Sequence, residues 1–306
     1  MSTEHAIAVQ GLCKSLDQHQ VLRNLNLSVK SGTIVGLLGR NGAGKTTLLR
    51  TIMGALRADS GTAKVYGEDL HRAPIEVRSR VAYVPQEPAL FGRPSLERYA
   101  RLHTRFYPRF DIETARQLAD RMAVDWKKSF GKLSQGNKRK AAVVLALASR
   151  ADLLVMDEPA AGLDPIARRE LYDVLIERMG SGGETTVLLS THLVADLERL
   201  ADRVAIIDGG RTLREGNVTA FTEELVRVQV IFPSDVPVGF AIPGARETTH
   251  EGAVALGIVD LAQAGDGLME LEHSSELRVT RFPLHLEDAF VELAGEPATS
   301  IQEISS

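Results

Sequence analysis

The chain has 306 residues, of which 44% are hydrophobic and 25% charged, and it carries a formal net charge of −4. That length exceeds one average domain, so a main domain with a smaller companion is expected. The acidic balance excludes a protein whose main business is gripping a nucleic-acid backbone, and the lone Cys13 excludes a disulfide framework or a cysteine metal site.

At the start, Met1-Ser2-Thr3-Glu4-His5 lacks the basic-then-apolar pattern of a secretory leader. A cytoplasmic chain is therefore expected, with any membrane role reaching it through a partner. From Ala6 to about Val29 the pattern suits β-structure. Leu25, Leu27 and Val29 alternate with Asn26, Ser28 and Lys30 up to a turn at Ser31-Gly32.

Thr33 to Leu38 reads as a buried strand and Thr47 to Met53 as a helix. Between them runs Gly39-Arg40-Asn41-Gly42-Ala43-Gly44-Lys45-Thr46. Glycines in this arrangement let successive backbone N–H groups turn inward around phosphate oxygens, and the helix points its positive end at the same charge. Lys45 is placed to reach β- and γ-phosphates and the Thr46 hydroxyl to ligate Mg²⁺. The loop therefore predicts a nucleoside triphosphate site. Its candidate contacts are Gly39, Asn41, Gly42, Ala43, Gly44, Lys45, Thr46 and Thr47.

Val81 to Val84, Leu153 to Met156 and Thr186 to Leu189 are short apolar runs of the kind that form buried parallel strands. A long helical region separates the first two. Ser95 to Tyr107 and Glu113 to Met122 carry apolar residues at near-helical spacing, and Ala141 to Ala148 is the most apolar stretch of the chain. That stretch falls far short of the roughly 20 residues that cross a bilayer. Asp164-Pro165 is a helix start and Gly180 its stop. Val204 to Leu213 reads as a hairpin turning at Asp208-Gly209-Gly210. After about Ala220, alternating Val226, Val228 and Val230 and five Pro/Gly interruptions from Pro233 to Gly244 mark a small β-rich appendage, with a last helix over Leu286 to Leu293.

Five further elements follow the phosphate loop in an order that resembles the ATP-binding cassette (ABC) family, over about residues 5–216. Asp157-Glu158 is similar to the family's Walker B pair. Leu133-Ser134-Gln135-Gly136-Asn137 resembles its signature, usually Leu-Ser-Gly-Gly-Gln. Gln86 matches the Q-loop glutamine, His192 the switch histidine and Asp164 the D-loop aspartate.

The resemblance implies an α/β fold: a P-loop NTPase core with an antiparallel β subdomain and an inserted helical subdomain at about 88–150. That makes residues 5–221 the ATPase domain and 222–306 the appendage, read as a brace or packing element rather than a sensor. It further implies ATP and Mg²⁺ as cofactors, with Lys45, Gln86, Glu158 and His192 catalytic and Thr46, Gln86 and Asp157 at the metal. Ser134, Gly136 and Asp164 would complete the ATP site of a second subunit, identical or related.

Family members stack adenine on an aromatic residue shortly after the first strand; here Leu16 stands there, and weaker or less base-selective binding is expected. Phe106-Tyr107-Pro108, the run from Glu158 to Pro165, and Leu286-Glu287-Asp288-Ala289-Phe290 are similar to stand-alone bacterial subunits that pair with separate exporter permeases. Such a subunit sits on the inner face of the membrane through integral permease subunits and has no direct nucleic-acid partner. Phe91 to Tyr107 would line the permease groove, with Phe91, Leu96 and Tyr99 as contacts, or else would form the helical subdomain's own core. A soluble cassette ATPase of translation or DNA repair is the competing reading, although the chain has one motif set, no heptad insert and no basic tail.

Overall fold

The computed structural model describes residues 5–88, 92–180 and 185–294, and the chain divides after Glu215 into two compact units. β1 (His5–Leu16) and β2 (His19–Lys30) form a long antiparallel hairpin that turns Leu25, Leu27 and Val29 inward, as their alternation requires. β3 (Ile34–Leu38) is buried throughout, and α1 (Lys45–Ile52) leads on to β4 (Ser60–Val65). β4 pairs with β1 to complete a sheet ordered β2-β1-β4.

A short α2 (Ile75–Arg78) precedes β5 (Val81–Val84). The helical region follows, with α3 (Leu96–His103), α4 (Ile112–Arg121) and α5 (Gln135–Ala148). Ser95, Asp111 and Ser134 cap these helices, each side-chain oxygen accepting a first-turn N–H. Leu96 is fully buried and so serves the interior of this region rather than an open groove, while the partly buried Tyr99 meets Phe130 edge-on at 5.7 Å. Phe91, expected at that groove, lies outside the described residues.

The unit closes with β6 (Leu153–Asp157), α6 (Pro165–Gly180), β7 (Thr186–Thr191), α7 (Val194–Leu200), β8 (Arg203–Asp208) and β9 (Arg211–Asn217). The large sheet is ordered β5-β6-β7-β3-β8-β9, with parallel pairing from β5 through β8. Every residue of β3, β6 and β7 is buried, as in a parallel sheet covered on both faces.

α1 joins the two sheets. Its Leu48, Leu49 and Ile52 share one apolar core with Val9, Leu22 and Leu27 of the small sheet and Val35, Leu37 and Val155 of the large one. Because β6, β7 and β3 are neighbours, the loops leaving their C-terminal ends open at one edge of the sheet. That edge is where open α/β sheets bind ligands.

The second unit contains α8 (Val218–Glu224), β10 (Leu225–Ile231), β11 (Ala245–Glu251), β12 (Val254–Asp260), α9 (Leu261–His273), β13 (Arg278–Pro283) and α10 (Leu286–Ala294). Its antiparallel sheet is ordered β11-β12-β10-β13. Val226, Val228 and Val230 of β10 pack with Ala255, Val259 and, from α9, Ala264 and Leu268. The unit begins before the expected boundary after 221, because α8 packs against β10 and α10.

Candidate active site

The loop from β3 to α1 takes its shape from glycine at two points for two reasons. Gly44 has φ +102°, a conformation hostile to any side chain. At Gly39 the obstacle is space, since a Cβ there would sit 2.4 Å from the Ile207 carbonyl oxygen. Gly44 caps α1 without any side-chain bond, so the first N–H groups of the helix are left for another acceptor.

A cavity of about 520 Å³ opens over this loop, lined by residues 40–47 together with Val21, Gln86 and Glu158. Gly39, Asp157 and His192 stand behind or beside that lining. Leu16 is exposed near the hairpin tip, paired with His19, and does not line the cavity. Val21 does line it, a position with no signal in the sequence beyond its place just after the hairpin turn.

Lys45 is buried and donates to the Gly39 carbonyl at 2.6 Å and the Arg40 carbonyl at 3.3 Å, with Glu158 Oε1 3.8 Å away. Burial pulls its ammonium below the ordinary lysine range, and the Glu158 and Asp157 carboxylates oppose that shift.

Glu158 leaves β6 at φ +50°. Its N–H donates to the Ser190 hydroxyl at 3.0 Å and the Ser190 carbonyl at 3.2 Å, and its Oε2 accepts from His192 Nδ1 at 2.8 Å. Ser190, unremarked in the sequence, also donates to Asp157 Oδ1 at 2.7 Å. Asp157 Oδ2 is buried with no hydrogen-bond partner. A buried carboxylate oxygen left open is costly unless a ligand satisfies it. This carboxylate oxygen, the Thr46 hydroxyl and the Gln86 side-chain oxygen are all hard donors of the kind that suits Mg²⁺.

Gln86 is exposed on the cavity wall, and its main-chain carbonyl accepts from Arg139 Nη2 at 3.1 Å and Nε at 3.3 Å. Arg139 also donates to the Ala161 carbonyl. In the sequence it looks like one more residue of a basic run. Ser134, Gly136 and Asp164 lie elsewhere. A Cβ on Gly136 would be 3.6 Å from Leu163, so the signature and the loop before α6 are side by side. Ser134 and Asp164 are exposed there, as is Ile166.

A glycine-rich phosphate loop at the centre of a parallel sheet, a Walker B pair on the next-but-one strand and a helical insert before it define a cassette-type P-loop ATPase. The sequence pattern of the ABC transporter family matches residues 22–161. The chain is 32% identical to the daunorubicin/doxorubicin resistance ATP-binding protein DrrA of Streptomyces peucetius, over 96% of this chain and 93% of that one. It is 33% identical to Nod factor export ATP-binding protein I of Paraburkholderia xenovorans (strain LB400), over 95% and 98% respectively. A solved ATP-binding subunit of an ABC transporter superposes with a TM-score of 0.63 at 30% identity, over 71% of this chain and 91% of that one. The chain belongs to the ABC transporter family and is an ATP-binding, ATP-hydrolysing subunit of such a transporter. No helix among the described residues is long and apolar enough to cross a membrane.

Proposed function

We propose that two copies of this ATPase, or one copy and a related subunit, bind two ATP molecules head to tail and thereby drive separate permease subunits. Each ATP lies between the phosphate loop of one subunit and Ser134 and Gly136 of the other. One observation carries this reading: the motif residues fall on two surfaces. Lys45, Thr46, Gln86 and Glu158 line one cavity, whereas Ser134 and Asp164 are exposed outside it. The Ser134 hydroxyl accepts from Asn137 N–H, which leaves its O–H to donate to a phosphate.

Inside the cavity, the N–H groups of Gly42 and of residues 44–47 and the Lys45 ammonium hold the phosphates, while the Ala43 N–H closes the loop on the Arg40 carbonyl. Thr46, Asp157 and Gln86 would hold Mg²⁺, which when bound neutralises charge on the transferring phosphoryl group. Glu158 takes the proton of the attacking water. His192 fixes that carboxylate through Nδ1–H and turns Nε2 toward the γ-phosphate; Nε2 donates only when the ring carries both protons. Asp164 relays closure between subunits.

The unit ending at Glu215 is the catalytic domain, with the helical insert at about 88–150 meeting the permease, and the smaller unit from Gly216 is a brace or packing element. The named activity of the Nod factor export protein supports export as the direction. The subunit then works on the cytoplasmic face of the membrane, held there by its permease, without contacting nucleic acid.

Glu158→Gln tests the chemistry. The variant keeps ATP binding, loses turnover by at least about a hundredfold and accumulates as an ATP-bound dimer on size exclusion. Hydrolysis at the wild-type rate would remove Glu158 from its role.

A further inference from the structure

Ser190 ends one residue short of the β7 terminus, with no exposed surface. Its hydroxyl makes two bonds of opposite sense. The O–H donates to Asp157 Oδ1 at 2.7 Å, and the oxygen accepts from Glu158 N–H at 3.0 Å. The polarity is not interchangeable, because a carboxylate only accepts and an amide N–H only donates. With Oδ1 engaged in this way, the open oxygen of Asp157 is Oδ2. Glu158, the next residue, sits at φ +50°, where side chains other than those of Asn and Asp are ill at ease. The Ser190 hydroxyl and carbonyl both receive its N–H and hold that bend. The adjacent Thr191 does neither: its hydroxyl accepts from Leu193 N–H in the loop beyond the strand.

We infer that Ser190 is a positioning residue for both Walker B carboxylates. Its proton turns Asp157 so that Oδ2 faces the cation, and its lone pair stabilises the bend that aims Glu158 at the water. A methyl group at this position supplies neither bond. The inference rests on the roles given above to Asp157 and Glu158.

The test uses the full chain carrying Ser190→Ala, Ser190→Thr or Asp157→Asn. ATP affinity is measured in EDTA and again with Mg²⁺, alongside kcat and KM. Ser190→Ala is expected to keep its EDTA affinity within about twofold while the Mg²⁺ enhancement and kcat each fall about tenfold, the usual scale for removing a group that orients a metal ligand. Ser190→Thr retains the hydroxyl and recovers most of both. If Ser190→Ala fails to fold, Ser190→Cys, a weaker donor, shows the same loss in smaller degree.

An unchanged Mg²⁺ enhancement in Ser190→Ala overturns the inference. So does an equal fall in affinity with and without Mg²⁺, or a threonine variant no better than alanine. Asp157→Asn separates the two levels. If that change itself leaves the Mg²⁺ enhancement intact, the reading of Asp157 falls. If it abolishes the enhancement and Ser190→Ala does not touch it, Ser190 alone is wrongly assigned.

Discussion

Glu158 is held in a backbone conformation that its side chain disfavours, by about 1–2 kcal/mol for an ordinary L-residue. Its φ of +50° follows directly on buried Asp157, and the Ser190 and His192 bonds maintain it. Strain of this kind has a measurable signature. At ordinary dihedrals alanine is more stable than glycine by roughly 0.5–1 kcal/mol; in the left-handed region the order inverts. Glu158→Gly is therefore expected to outlast Glu158→Ala in urea by about 1 kcal/mol, with hydrolysis lost in both. A more stable alanine variant would show that the site carries no such strain. The carboxylate pair was legible because an acidic dipeptide after an apolar run is unusual. The strain was not, since φ depends on Ser190, 32 positions away in the chain. Val21 is illegible for a similar reason: an aliphatic residue on a strand has no chemistry to mark it as a cavity wall.

Among elements, helices such as α3, α4 and α6 were legible in the sequence, whereas α7, α9 and the tethers between helices were not. Asp164-Pro165 and Gly180 bound α6 as their capping chemistry predicts, with Asp164 Oδ1 accepting from Ile166 and Ala167 N–H. No local pattern shows that Arg121 at the end of α4 reaches Glu170 and Glu177, one face of α6 two turns apart. Strand order is equally non-local, because β3 finds its place between β7 and β8 only through pairing across the whole unit.

Asp152 is the tether with a pH dependence. It stands just before β6, accepts from Arg80 Nε at 2.7 Å, and also accepts from Arg109 in the helical region. Burial pushes its carboxyl pKa up, but the Arg109 and Arg80 bonds outweigh that and hold it below the usual carboxylate range. A carboxylate with a depressed folded-state pKa stabilises above its unfolded value and stops doing so as pH falls through the folded one. Wild type should therefore exceed Asp152→Asn by about 1 kcal/mol from pH 8 down to about 5, a modest figure because both arginines are half-exposed. The gap should begin to narrow as pH falls through about 4, the unfolded carboxylate's value, and vanish only below the lower folded-state value. Urea melts across that range decide it: a gap independent of pH would mean the ion pairs contribute nothing.

At the scale of the whole molecule, the chain has one phosphate loop and one signature, and they do not meet within it. Lys45 lines the cavity, while exposed Ser134 and Asp164 flank an Ile166 left 82% exposed. An apolar side chain so open beside motif residues is what a dimer face presents before assembly. If two copies pair as proposed, two-fold symmetry makes the two composite sites equivalent, each taking its loop from one copy and its signature from the other. Mixing two inactive variants tests this arithmetic. Lys45→Ala homodimers lack both loops and Ser134→Arg homodimers lack both signatures, so each is expected to be inactive alone. In a mixed dimer, one site collects both lesions and the other collects none. Equal amounts, exchanged without ATP and then assayed, should recover about a quarter of wild-type turnover, since half the dimers are mixed and each has one intact site. If each site were instead built within a single chain, no mixture would recover any activity, and the head-to-tail arrangement would have to be abandoned.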